Sequence, residues 1–177
     1  MQYTSTYKSP LGNILLAADE TGLIGLWFYG QKYFARNLDP EHEEKDLPVF
    51  ETAGKWLDIY FCGHKPDFMP PVHLLGTPFQ ISVWKLLQRI PYAKTITYGE
   101  LAKEIAREKG LAHMSAQAVG DAVGHNPISV IVPCHRVVGS GGSLTGYAGG
   151  LDKKKCLLSL EGVDMGKLIL PSKGTAL

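Results

Sequence analysis

Between Cys62 and Pro78 the chain reads CGHKPDFMPPVHLLGTP. Its four prolines remove backbone donors and its two glycines free φ, so neither a helix nor a strand can run through it. The hydrophobic pattern differs on the two sides. Upstream, apolar runs at 14–18 and 23–28 flank the turn signal DETG and read as strands. Residues 31–48, with LDPEHEEKD, read as a solvated loop or an exposed helix end. Phe50, Ala53, Trp56, Leu57 and Tyr60 then share one face of a helix expected over 49–61. The proline-rich stretch is therefore a domain linker.

Downstream the signals are helical. TPFQ puts Thr77 at an N-cap, Pro78 at the first helical position and Gln80 where a capping box needs it. Phe79, Val83, Trp84, Leu87 and Ile90 continue as an apolar stripe. TYGE repeats the box with Thr97 and Glu100, ahead of Leu101, Ala102, Ile105 and Ala106. A third helix is expected from about Ser115, with Ala116, Val119, Gly120 and Val123 on its packed side. Two short helices joined by a glycine-containing turn fit a helix-turn-helix, and the pattern fits a generic helical subdomain equally well. A last helix, about 151–161, closes with Gly162 just past its end. The expected organisation is an N-terminal α/β domain at 1–75, a helical domain at 76–165 and a tail at 166–177.

Charge separates along the same line. Residues 1–75 hold 6 Lys and Arg against 10 Asp and Glu, and residues 76–177 hold 12 against 7, a modest basic excess suited to an anionic partner. The N-terminal MQYTSTYKSPLG lacks the basic start and apolar run of a secretion signal, and no apolar run has membrane-spanning length. Cys62, Cys134 and Cys156 are too few for a disulfide framework and form no C-x-x-C pair, so a cytoplasmic protein with no metal is expected.

The segment IVPCHRVVGSGG is the chemical focus. It reads as a buried strand stopped by Pro133, after which Cys134 is followed directly by His135 and Arg136. Free cysteine is among the most buried residue types, so a core role is open. Basic neighbours favour a thiolate, so a nucleophile is open too. Glu161 sits at the negative end of the last helix, the unfavourable end for a carboxylate, as a surface residue or as one held there for a task. Lys153, Lys154 and Lys155 are expected to face solvent, with phosphate contact as the second reading, and GSGGS offers a permissive loop or plain turns.

Taken together, NPISVIVPCHRVVGSGGSLTGYAGGLDKKKCLLSLEG and the earlier GTPFQ…VW…L…IP…TYGELA block resemble the O6-alkylguanine-DNA alkyltransferases, closely over 76–163 and more loosely upstream. The resemblance implies an α+β fold: a small N-terminal antiparallel sheet plus helix, then a helical domain with a helix-turn-helix. It implies a monomer that flips O6-alkylguanine from double-stranded DNA through the minor groove and moves the alkyl group irreversibly to Cys134, with no cofactor. It makes His135 a base acting through water, Glu161 its support and Asn126 a hinge tied to the active-site turn. Tyr98 becomes a donor to the departing guanine. Main-chain groups of Cys134, Val137 and Ala148 would read the base beside Tyr147 and Gly149. Ser115, Ala116, Gln117 and Arg136 would contact DNA. Gln117 departs from the arginine common in the family, and Cys62 with His64 is a poor substitute for the zinc set of some relatives.

Three other readings compete. A lesion-binding protein of the same architecture lacks the reactive cysteine that is present here. A thiol hydrolase would need Cys134 and His135 to meet directly as sequence neighbours. A pure DNA-binding regulator would leave PCHR idle. Against the activator fusion known in the family, the sequence shows no extra cysteine-rich domain, so the stand-alone repair form is expected.

Overall fold

Three strands from the first thirty residues build the sheet: β1 (Gln2–Ser9), β2 (Gly12–Ala18) and β3 (Leu23–Phe28). They pair antiparallel through tight turns, with Thr6 opposite Leu15 and Leu15 opposite Trp27. The computed structural model describes residues 1–171. The part of the expected tail beyond 171 lies outside the described residues. β4 (His42–Glu44) adds to β1 in parallel, giving the order β3-β2-β1-β4. This strand was not expected within 31–48. All three of its residues are exposed, so no alternation of apolar and polar side chains marks it.

The chain divides into two units, Met1–Leu75 with Pro127–Ser129, and Gly76–Asn126 with the chain from Val130 onward. In the first, β3 is buried at every position. Leu15, Ala17, Gly25 and Trp27 share one face, closed by Phe34, Leu38 and Leu75. A Cβ on Gly25 would stand 1.9 Å from the Trp27 indole, which lies over that glycine. α1 (Pro48–Phe61) packs on β1 and β2 and buries the five residues expected of it. The outer edge of β3 is not left open. Leu23 N–H donates to Pro71 O and His73 N–H to Leu23 O. Leu26 N–H donates to Pro127 O and Ser129 N–H to Leu26 O. An unpaired edge is a template for association, and these segments cover it.

In the second unit, α2 (Pro78–Leu87), α3 (Tyr98–Lys109) and α4 (Ala116–Gly124) pack together. Both capping boxes form, at Thr77 with Gln80 and at Thr97 with Glu100, and Ser115 caps α4. α3 ends on Gly110 at φ 65°, a left-handed turn into the 110–115 connection. Val83, Trp84, Leu87, Leu101, Ile105, Val119 and Val123 form the shared core, and Trp84 Nε1 donates to Ala122 O at 2.7 Å. Ala116, expected on the packed side, is exposed. Capping by Ser115 places it in the outward first turn, and Ala122 takes the buried position.

A short parallel pair, β5 (Ile96–Thr97) with β6 (Val137–Val138), leads on to α5 (Leu151–Leu160). The apolar run before Pro133 is no strand: residues 129–132 form turns, with Val130 at φ 68°. A second small core joins Val138, Leu144 and Leu158 to Val163, Met165 and Leu168.

Candidate active site

The turn that ends at Pro133 fixes Cys134. Asn126 Nδ2 donates to Val132 O at 2.8 Å, and Cys134 N–H donates to the same carbonyl. The chain then enters a single 3-10 turn, Cys134–Arg136, whose three residues are all buried. Burial pushes the thiol above its ordinary range. The Asn126 side chain, the Lys154 charge and the His135 main-chain N–H oppose that push.

His135 is fully enclosed, and its Nε2 meets Glu161 Oε2. Glu161 Oε1 accepts from Arg136 Nε at 2.8 Å and from Ala93 N–H at 3.0 Å. Burial would raise this carboxyl, but His135 and Arg136 outweigh it and hold it at about 2. Glu161 is therefore ionised, and His135 Nε2–H donates to it. Burial, Arg136 and Lys154 favour the neutral ring against the pull of Glu161. In that tautomer Nδ1 is the basic nitrogen. Thiol, imidazole and carboxylate thus sit in one buried constellation, an arrangement that can serve as nucleophile, base and orienter.

Arg136 was expected at the DNA surface, and the structure places it elsewhere. It is 8% exposed, its Nη1 donates to Ile90 O at 2.7 Å, and its guanidinium lies 5.7 Å from the Tyr92 ring centroid. The guanidinium is used inward, fastening the 90–93 turn to Glu161. Lys154, expected to face solvent, is 0% exposed, and its ammonium contacts three carbonyls. Lys154, Leu157, Leu158 and Glu161 recur at helical spacing on one face of α5. That spacing was the available signal, and the run of three lysines hid it.

Tyr98 opens α3, and the β5–β6 pairing of Ile96 with Val137 brings this helix start beside the cysteine turn. Its hydroxyl donates to Thr145 O at 3.1 Å, and burial and then the Cys134 thiolate raise its pKa to about 12, so it is a proton-bearing donor. A Cβ on Gly120 would lie 3.7 Å from this ring, so α4 approaches it closely. Val137 O already accepts from Lys154, which leaves it one lone pair. Tyr147 is buried, while Ala148 and Gly149 are half-buried. Ser115 and Gln117 are exposed at the N-terminal end of α4, alongside Ala116. Among the described residues no group of three or more His, Cys, Asp or Glu side chains could hold a metal, and no helix is long and apolar enough to cross a membrane.

Two family models match. Residues 78–163 fit the DNA binding domain of 6-O-methylguanine DNA methyltransferase, and residues 2–74 fit its ribonuclease-like domain. A Methanosarcina acetivorans methylated-DNA–protein-cysteine methyltransferase is 46% identical over 90% of this chain and 98% of its own length. Its Mycobacterium tuberculosis counterpart is 43% identical over 91% and 93%. Among solved structures, the M. tuberculosis O6-methylguanine methyltransferase superposes with a TM-score of 0.77 at 42% identity, covering 91% of this chain and 93% of that one. The M. tuberculosis OGT in complex with DNA gives 0.78 at 40% identity, covering 94% of each.

Proposed function

The chain belongs to the 6-O-methylguanine DNA methyltransferase family, and from that membership we propose that Cys134 is the residue that receives the alkyl group. The activity is that of a methylated-DNA–protein-cysteine methyltransferase, which repairs DNA by direct reversal of damage. The alternative of a lesion binder without chemistry has no support among these relatives.

The substrate is O6-alkylguanine in duplex DNA, reached from the minor groove by the exposed start of α4 at Ser115, Ala116 and Gln117. Residues 76–165 carry both this surface and the reacting groups. The base leaves the stack, because its O6 atom is otherwise beyond a buried thiol. Val137 and Ala148 read it by main-chain groups, with Tyr147 and Gly149 as the wall. Arg136 drops out of the DNA-contacting set. The protein works as a monomer in the cytoplasm.

An ordinary thiol is only a few per cent ionised at neutral pH. His135 Nδ1 takes the Cys134 proton through a water, while Glu161 stabilises the imidazolium so formed. The thiolate attacks the alkyl carbon, an S–C bond forms and the C–O6 bond breaks with its electron pair going to the guanine. Tyr98 passes a proton to the leaving base and is reprotonated from His135. The thiol proton ends on guanine, and the thioether remains on the protein.

The buried linkage of Glu161 to His135, directly beside Cys134, is the observation that supports this reading most. Mass spectrometry after incubation with an O6-methylguanine oligonucleotide tests it. One methyl on the Cys134 peptide and no turnover beyond one per molecule is the expected result. Transfer that persists in Cys134→Ser, or is lost in folded Cys62→Ala or Cys156→Ala, reassigns the acceptor.

A further inference from the structure

Lys154 is a buried charge to which the transfer steps above give no part. Its Nζ donates to Val137 O at 2.6 Å, Thr145 O at 2.9 Å and Gly146 O at 3.1 Å. A lysine ammonium carries three donors and no acceptor, so the charged form matches these three carbonyls one for one. The partners belong to the strand after the cysteine turn and to the loop whose Thr145 carbonyl also accepts the Tyr98 hydroxyl. The Tyr98 ring centroid lies 6.0 Å from the same ammonium. Burial pushes Lys154 down to about 8, and the Cys134 thiolate pulls it back toward its ordinary value.

Burying a cation is costly, and an apolar side chain of similar volume often serves a core as well or better. The groups that face Lys154 narrow what the charge is for. They are Tyr98 at the start of α3, whose ring it approaches, and Cys134 and His135 on the 3-10 turn that α5 packs against, both of which its charge acts on. On its own helix, Glu161 is engaged by His135 and Arg136, while Asp152, Lys153 and Lys155 are less buried. Tyr98 stays protonated and His135 is neutral before reaction. Of the three, Cys134 is the one that must carry a negative charge before the base departs.

We infer that Lys154 supplies the positive charge that stabilises the Cys134 thiolate, and that its three carbonyl contacts make it the positioning residue for the Thr145–Gly146 loop against Tyr98. The inference rests on Cys134 being the alkyl acceptor.

Two measurements test it. The first follows iodoacetamide alkylation of the Cys134 peptide against pH in the wild type, Lys154→Gln and Lys154→Met. Gln keeps two N–H donors for the carbonyls but no charge, and Met has neither. Both should move the alkylation profile to higher pH, slowing the reaction near neutrality by roughly tenfold for each unit moved. Gln should keep more of the wild-type Tm than Met. A wild-type profile in folded Lys154→Gln overturns the inference. The second follows the positioning role: methyl transfer from an O6-methylguanine oligonucleotide is timed in the same two variants, each at the pH where its iodoacetamide rate equals that of the wild type. Slower transfer in Met than in Gln is expected, and transfer at the wild-type rate in both variants overturns the positioning role. If the methyl is mapped to another residue, the acceptor assignment falls and this inference with it. Methyl on Cys134 with both Lys154 results negative removes this inference alone.

Discussion

Glu161 binds three partners at once, the His135 ring, the Arg136 guanidinium and the Ala93 N–H, and its side chain has no exposure. Replacing it by Gln leaves Arg136 as a buried cation without its anion, which costs roughly 3–5 kcal/mol. Glu161→Gln should therefore lower Tm, and in the folded fraction it should slow methyl transfer on the order of 10²-fold, with thiol reactivity falling in parallel. A folded variant with unchanged rates would return Glu161 to a structural role. The pH dependence has a definite sign. The folded carboxyl titrates near 2 and the unfolded one near 4.5, so the unfolded chain binds the extra proton between those values. The stabilisation, about 3 kcal/mol, is complete above the unfolded value and is lost as pH falls toward 2. Acid unfolding followed by circular dichroism should show that loss in the wild type, and Glu161→Gln should be flatter across the same window. Tyr98→Phe separates the leaving group from the nucleophile. It should slow transfer from the base while iodoacetamide reactivity at Cys134 stays near wild type, and a parallel loss of both would place Tyr98 with the thiol.

The two capping boxes are alike in chemistry and differ in the helices they start. Thr77 starts α2, whose first turn carries Pro78 and Phe79, and Thr97 starts α3, whose first residue is Tyr98. Removing either hydroxyl unsatisfies a helix N–H and costs about 1 kcal/mol. Thr77→Ala and Thr97→Ala should therefore lose similar stability in urea titrations. Thr97→Ala should also slow methyl transfer, because the cap helps fix the direction in which Tyr98 leaves the helix. Equal transfer rates in the two variants would show that β5–β6 pairing alone aims Tyr98. In α5 the same kind of spacing argument explains Lys154. An i, i+3, i+4, i+7 face that carries Leu157, Leu158 and a buried Glu161 takes Lys154 inside with them.

At the scale of the whole molecule, neither unit is a plain segment of sequence. Pro127–Ser129 lie far along the chain yet belong to the first unit, where they pair with Leu26. A fragment of residues 1–75 would leave the Leu26 part of that edge unpaired, and it should self-associate in sedimentation more strongly than the full chain. A monomeric fragment would show that Pro71–His73 suffice as cover. The proposed DNA surface gives a second prediction. Gln117 is exposed at the start of α4 and, unlike an arginine, offers an uncharged amide to fill the space of an extruded base. Gln117→Ala should slow repair in duplex DNA and leave reaction with free O6-benzylguanine nearly unchanged, since extrusion costs a few kcal/mol only in the duplex. Equal losses would mark a folding effect instead.

Local signals determined the helix starts, the break at 62–78 and the strands at 14–18 and 23–28, because caps, prolines and periodic apolar residues act over a few neighbours. The motif order around PCHR carried the family resemblance and with it the grouping of Cys134, His135 and Glu161. Tertiary structure decided which charges lie inside, with helical spacing in α5 as the one sequence signal, at Lys154. Arg136 and Lys154 look like surface cations in sequence, and they are buried because a carboxylate and four main-chain carbonyls from remote segments satisfy them. β4 and the turns before Pro133 escaped the sequence for the converse reason. An exposed three-residue strand has no hydrophobic period, and a buried apolar run reads the same whether it is strand or turn. Satisfaction of polar groups is settled across the fold, because hydrophobic periodicity does not show which carbonyl or carboxylate a cation will meet.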